Sequence, residues 1–221
     1  MSGFVVIATY AAILCWQGCG LNIFKAFLSR RLRVCLLSGG ESRRMGRDKA
    51  LLHHPDGGVW LTALVKQVQP LGLPIQLLTR HQAHADLFCN DPSVEILMQP
   101  PPWKGPLHAL GWVLPADSNE ALLVLPVDMP RITTAVLGQL ITAWHQQPQR
   151  AAVAHDGTQL QPLFSVIPSG SPFQSQLLEH LEVGRLGWLD WLNQVPFQAV
   201  ALPSETLLNA NCPEDLAALR A

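Results

Sequence analysis

Between residues 36 and 50 the chain reads LLSGGESRRMGRDKA, an apolar run that breaks at Gly39 and Gly40 and continues into Arg43, Arg44, Arg47 and Lys49. Glycine has no Cβ and adopts positive φ at little cost, so a paired-glycine turn lets bare backbone approach a ligand. Successive amides in such a turn point their N–H groups at one anion. The arginines add planar donors suited to phosphate oxygens, and Lys49 adds a compact point charge. This supply of positive charge matches a polyphosphate better than a single carboxylate. Two familiar glycine motifs are excluded by spacing: no Gly-Lys-Ser/Thr completes G-x-x-x-x-G-K-[ST], and G-x-G-x-x-G is not met. A second residue of chemical interest is Asp128, which ends the apolar stretch ALLVLPVD (121–128) and stands between Pro126 and Pro130. A carboxylate there suits Mg2+, a hard ion that prefers oxygen ligands and keeps several waters.

These residues need a frame to position them. LRVCLLS (32–38), PIQLLT (74–79), VEILM (94–98) and ALLVLPVD read as strands, and so do RAAVAHDG, LQPLFSVIP and FQAVAL further on. Between them VWLTALVKQVQPL (59–71), HQAHADLF, GPLHALGWVLP, TTAVLGQLITAWHQQ (133–147), FQSQLLEHL, LGWLDWLNQ (186–194) and a closing PEDLAALR read as helices. Strand and helix taking turns implies crossover connections. The expected fold class is therefore α/β, a single doubly wound and mostly parallel sheet with helices on both faces. Ligands of such a sheet gather beyond the carboxyl ends of its strands, where Gly39, Gly40 and Asp128 fall.

With 221 residues, 48% of them hydrophobic, the chain can bury a full core. A net charge of −1 with scattered basic residues lacks the electrostatic footprint of a nucleic-acid binder. Cys15, Cys19, Cys35, Cys89 and Cys212 contain no C-x-x-C pair, which fits neither a disulfide framework nor a paired zinc site and points to a reducing cytoplasm. Residues 1–31 form an apolar extension without a charged side chain from Phe4 to Phe24, followed by Lys25, Arg30 and Arg31. It admits several readings: a poorly packed extension or a start placed too far upstream, a membrane anchor, or a docked helix. None of them carries the chemistry, which is expected in residues 32–221.

LLSGGESRRMGRDKALL (36–52) resembles the signature of the MobA-like nucleotidyltransferases, most closely that of the molybdenum cofactor guanylyltransferases, L-x-G-G-x-S-x-R-M-G-x-D-K. GPLHAL (105–110), LPVDMP (125–130), HDGTQLQPLF (155–164) and NANCPEDL (209–216) follow in that family's order. The resemblance implies a Rossmann-like nucleotidyltransferase domain over 32–221. It also implies a Mg2+-dependent transfer of GMP from GTP to the terminal phosphate of molybdopterin, with or without molybdenum, releasing pyrophosphate. Cofactor-delivery proteins are implied as further partners, whereas nucleic acid and membrane are not. The alternatives are cytidylyl transfer to the same cofactor, nucleotidyl transfer to a sugar phosphate, and a nucleotide-binding protein that has lost turnover.

Carried onto this chain, the resemblance makes Lys49 and Arg43 catalytic. It places Leu37, Ser38, Gly39, Gly40, Ser42, Arg43, Arg44, Lys49, Gln99 and Asp128 around the nucleotide. Asp128 and Asn211 would hold Mg2+, while His155, Asp156, Gln161 and Asn209 would shape the acceptor site. Asp48 is expected to orient the loop. Gln99 stands where the family commonly has an aspartate, and the substitution matters. A carboxylate accepts from both N1–H and N2–H of guanine, but a glutamine accepts with one end and must turn its donor away. No catalytic base is required, because a phosphomonoester with a second pKa near ~6 is mostly dianionic at neutral pH. His108 is expected at a packing or surface position. Trp103, in the proline-rich QPPPWKG (99–105), is a candidate for stacking on a base or pterin, and Trp188 and Trp191 for one packed helical face.

Overall fold

A computed structural model describes residues 31–40, 46–55, 57–117 and 119–210. Among the described residues seven strands, β1 (Arg31–Leu37), β2 (Ile75–Thr79), β3 (Val94–Met98), β4 (Glu120–Pro126), β5 (Ala151–His155), β6 (Leu160–Pro168) and β7 (Phe197–Ala201), form one sheet in the order β3-β2-β1-β4-β6-β5-β7. The α-helices of the described residues are α1 (Trp60–Val68), α2 (Gln82–Asp86), α3 (Pro106–Val113), α4 (Thr134–Gln146), α5 (Phe173–Glu182) and α6 (Trp188–Leu192). The pairs β1–β2, β2–β3, β1–β4 and β5–β7 are parallel, whereas β6 runs antiparallel to both β4 and β5. The expected doubly wound, mostly parallel sheet is what forms.

Both faces of the sheet are covered, which is why its central strands read as unbroken apolar runs. All seven residues of β4 are buried. Along β1, Val34 and Leu36 pack into one cluster with Leu61 and Val65 of α1 and Leu137 and Leu140 of α4. Cys35, between them, joins the opposite cluster with Leu107 and Leu110 of α3 and Trp191 of α6. This alternation is the period-two geometry of a strand with an apolar layer on each side. Burial also pushes the Cys35 thiol up to about 12, because a thiolate there would be stripped of water. Trp188 and Trp191 meet edge to face with ring centres 5.9 Å apart, the packed pair expected from their spacing.

The helix expected over 59–71 ends earlier, at Val68, and tightens into a 3-10 turn at Gln69–Leu71. Pro70 lacks the N–H needed to continue the α-helical ladder. The helix expected over 186–194 contracts to the five residues of α6. Gly105 takes φ 99° immediately before Pro106 opens α3, a conformation few side-chain-bearing residues tolerate. Thr133 caps α4 by accepting from the Val136 N–H at 3.4 Å, so Asp128 is not that helix's cap. The expected closing helix at 213–220 and the extension before Arg31 lie outside the described residues. Among the described residues no helix is long and apolar enough to cross a membrane.

After β1 the chain moves to β2 and β3 on one side and then returns to place β4 on the other. The carboxyl ends of β1 and β4 are therefore neighbours at the point where the strand order reverses. That is where an open parallel sheet leaves a crevice.

Candidate active site

A cleft of about 580 Å3 occupies this position. Leu37, Ser38, Gly39 and Gly40 form one wall, and Lys49, Gln99 and Asp128 contribute from three other segments. All seven were expected at the nucleotide from the sequence. Ser42, Arg43, Arg44 and Asn211, expected at the same site, lie outside the described residues.

Lys49 opens a 3-10 turn, Lys49–Leu51, and Asp128 lies two residues beyond β4. The Lys49 Nζ stands 3.4 Å from Asp128 Oδ2, with side chains 16% and 26% exposed. That separation is long for a charge-assisted hydrogen bond. The two opposite charges face the cleft without being locked together, so an anion can approach the lysine and a cation the carboxylate. The backbone of Asp128 is anchored independently, its carbonyl accepting from the Ala210 N–H at 2.9 Å.

Asp48, next to the lysine, does what the sequence suggested. Its Oδ1 accepts from the Ala50 N–H at 3.0 Å and shapes the turn. Its Oδ2 lies 2.8 Å from Nε2 of His84, a buried residue on α2. The other edge of that imidazole reaches Ser38 at the end of β1.

Another side of the cleft is built around Gln99. Its backbone N–H donates to the Thr79 carbonyl at 2.7 Å, and its carbonyl accepts from the Trp103 indole at 2.9 Å. The side-chain Nε2 lies 3.5 Å from His108 Nδ1, while Oε1 is turned toward Gly39, where an added Cβ would sit 3.9 Å away. His108 is thus half-buried and aligned with the amide nitrogen of Gln99 rather than only packed. Trp103 is half-exposed and carries the Arg80 guanidinium over its ring at 4.8 Å from the centroid. One face of the indole is therefore already covered.

His155, Asp156, Gln161 and Asn209 come together as a second cluster that does not line the cleft. Asp156 Oδ1 accepts from the Thr158 hydroxyl at 2.7 Å and from the backbone N–H groups of Thr158 and Gln159 at 2.8 and 2.9 Å. Its Oδ2 accepts from Gln161 Nε2 at 2.8 Å. These bonds, the Thr158 hydroxyl first among them, hold the carboxyl far below the usual carboxylate range. Gln161 Oε1 then accepts from Asn209 Nδ2 at 3.1 Å, and His155 Nδ1 accepts from the Gly157 N–H at 3.0 Å. Because Ala210 bonds to the Asp128 carbonyl, this cluster abuts the Asp128 wall of the cleft through the backbone.

Residues 34–195 match the MobA-like NTP transferase domain. The chain belongs to this family. It is 33% identical over 190 residues to a probable molybdenum cofactor guanylyltransferase of Rhodopirellula baltica, a match covering 82% of this chain and 88% of the relative. A protein of the same description from Synechococcus elongatus is 31% identical over 209 residues, covering 84% and 96%. Among solved structures, the molybdopterin-guanine dinucleotide biosynthesis protein A of Archaeoglobus fulgidus superposes with a TM-score of 0.64 at 18% identity, covering 84% of this chain and 95% of that one, which shows the shared fold.

For a nucleotidyltransferase the donor set at Asp128 can be tested against Mg2+. Among the described residues no group of three or more His, Cys, Asp or Glu side chains is placed to hold a metal. Among the described residues no protein cage forms there, but Mg2+ commonly takes one or two carboxylates and completes its shell with phosphate oxygens and water. The partly exposed Asp128 carboxylate lining the cleft fits that pattern. Sequence reasoning passed over His84, Thr79 and Arg80 in this nucleotidyltransferase. HQAHADLF carried only the signal of a short amphipathic helix, and nothing local shows which of its two histidines turns inward.

Proposed function

We propose that this nucleotidyltransferase transfers GMP from GTP to the terminal phosphate of molybdopterin, with Mg2+, and releases pyrophosphate. The observation that carries the reading is the juxtaposition of Lys49 and Asp128, 3.4 Å apart at the mouth of a strand-end cleft walled by Ser38, Gly39 and Gly40. The guanylyltransferase descriptions of the relatives support the choice of base and acceptor.

In the reaction an acceptor phosphate oxygen attacks the α-phosphorus and forms a new P–O bond. The bond from that phosphorus to the α,β-bridging oxygen breaks, and its electron pair leaves with pyrophosphate. Negative charge grows on the α-phosphoryl oxygens and on the leaving group. Lys49, held on a capped turn, offers its ammonium where that charge develops, and the bare amides of Gly39 and Gly40 add oriented N–H dipoles. Arg43, Arg44 and Ser42 extend the cradle along the polyphosphate in this reading. Asp128, with Asn211, would hold Mg2+, which supplies charge neutralisation on the bound phosphates. Since the acceptor arrives as a dianion, no side chain has to remove a proton.

Gln99 supplies one acceptor to guanine. With its nitrogen directed to His108, the oxygen faces Gly39 and is available to N1–H or N2–H of the base. In this reading His155, Asp156, Gln161 and Asn209, beside the Asp128 wall but outside the cleft lining, shape the acceptor side, where Asp156 keeps the turn in shape. A cytoplasmic setting and a protein that delivers molybdopterin complete the proposal.

The test is pyrophosphate release from GTP, CTP, ATP and UTP in turn, with and without molybdopterin, at several Mg2+ concentrations. Release that requires GTP, molybdopterin and Mg2+ together is the expected outcome. Preference for CTP would reassign the base, and turnover with a sugar phosphate in place of molybdopterin would reassign the acceptor.

A further inference from the structure

The loop that leaves β1 at Ser38 returns to the cleft at Asp48, and one side chain from another element touches both ends. His84, on α2, is 1% exposed. Its Nε2 lies 2.8 Å from Asp48 Oδ2, and its Nδ1 lies 2.8 Å from the Ser38 carbonyl and 2.9 Å from the Ser38 hydroxyl. An ionised carboxylate only accepts, so Nε2 carries a proton and donates to Asp48. At the other edge, the Thr79 hydroxyl donates to the Ser38 carbonyl at 3.0 Å and accepts from the His81 N–H at 3.1 Å. Nδ1 therefore accepts from the Ser38 hydroxyl, or donates to the Ser38 carbonyl or to the Thr79 hydroxyl oxygen 3.1 Å away. Each arrangement ties the imidazole to the end of β1, to Ser38 directly or through Thr79, which itself bonds to the Ser38 carbonyl.

The two ends depend on this bridge unequally. Ser38 is also held by the sheet, its N–H donating to the Leu78 carbonyl at 2.9 Å and its carbonyl accepting from Thr79. Among the described residues, the side-chain bond that reaches Asp48 from outside its own turn is the one from His84. We infer that His84 is a positioning residue that fixes the Lys49 turn against the end of β1, so that it sets the rate of nucleotidyl transfer rather than the affinity for nucleotide. The inference rests on the proposed role of Lys49. Loss of the bridge leaves the glycine wall in place and lets the ammonium drift from the reacting phosphate. A displacement of about 1 Å at a reacting centre costs up to about a hundredfold in rate.

Amide side chains dissect the two edges of the ring. Glutamine places its Nε2 where the imidazole Nε2 lies and keeps the bond to Asp48, whereas asparagine reaches only the Ser38 edge. In steady-state kinetics with GTP, molybdopterin and Mg2+, normalised to titrated GTP sites, His84→Asn and His84→Leu should lower kcat by about ten- to a hundredfold. The KM for GTP should stay within about threefold, and His84→Gln should return kcat to within about threefold of the wild type. A purely structural role would lower the thermal midpoint or the number of sites without this split. Equal losses in His84→Gln and His84→Leu, a KM that rises as far as kcat falls, or unchanged kcat in all three variants would each overturn the inference. Independently of turnover, 15N imidazole spectra of the unliganded protein should show Nε2 protonated, and a bare Nε2 would remove the donor the argument needs. Wild-type protein that turns over none of the four triphosphates would overturn the functional reading and this role with it, whatever the imidazole spectrum shows.

Discussion

The crevice at the ends of β1 and β4 and the turn that joins β5 to β6 are both rich in polar side chains, but they are held together differently. In the crevice the partners are far apart in sequence: His84 and Asp48 are 36 residues apart, Ser38 and His84 46, and Lys49 and Asp128 79. In the turn, Asp156 accepts from Thr158, Gln159 and Gln161, two to five residues on. Local bonds complete themselves and leave a carboxylate whose acceptor sites are already used. Bonds between distant elements bring charges face to face at a place where a ligand also has access. The first arrangement makes a shape, and the second makes a site.

The sharpest way to break this contrast is at Lys49. Lys49→Ala should lower kcat for pyrophosphate release by about a hundred- to a thousandfold, with GTP affinity changed by less than about tenfold. Equal losses in both would place the ammonium in ground-state binding. Asp128→Asn comes next: it keeps the size of the side chain but removes the charge, so activity should require about tenfold or more Mg2+ to reach half its maximum. An unaltered metal titration would move the cation elsewhere.

Asp156→Asn sharpens the other side of the comparison. Its effect on kcat should stay within about threefold, because the side chain shapes a turn and does not face the cleft. Its signature is acid stability instead. The folded carboxyl titrates below its unfolded value of about 3.9, so the stabilisation from the ionised form is present above that value and lost as pH falls through the folded one. Thermal midpoints of wild type and variant should differ by a constant amount above about pH 5 and converge below about pH 4. A gap that widens on acidification would contradict the assigned bonds.

The smallest effect concerns Cys35, which lies in β1 beneath the crevice. With its thiol pushed up to about 12 and fully buried, it should resist alkylation at pH 8 while the exposed Cys89 reacts, and it should label only at the rate of global unfolding. Labelling of Cys35 on the timescale of Cys89 would show that the strand carrying the glycine wall opens locally.

Much of this molecule was legible before any tertiary contact was known. The sheet's strands announced themselves because burial on both faces demands unbroken apolar runs, most plainly in β4. Gly39, Gly40 and Lys49 stood out because a backbone that must approach an anion needs glycine and nearby cations, and these lie within one short segment. Asp128 was found by its position at the end of a strand, where the topology of a parallel sheet opens a crevice. The turn at Asp156 was readable for the same reason of locality, although its self-sufficient bonding was not.

Only the tertiary structure decided which sequence-distant groups meet. No pattern in HQAHADLF distinguishes His84, which turns inward between Ser38 and Asp48, from His81 three residues earlier. Gln99 looked like a weakened substitute for a carboxylate until His108 was found beside its nitrogen, leaving the oxygen to face Gly39. The antiparallel course of β6 and the seating of β4 against β1 were equally invisible, because hydropathy records that a strand is buried and not which neighbour buries it. Periodicity and turn chemistry act over a few residues and can be read from the chain alone. Charge pairing and the aim of a buried donor depend on packing between elements dozens of residues apart, and those are settled only when the sheet closes.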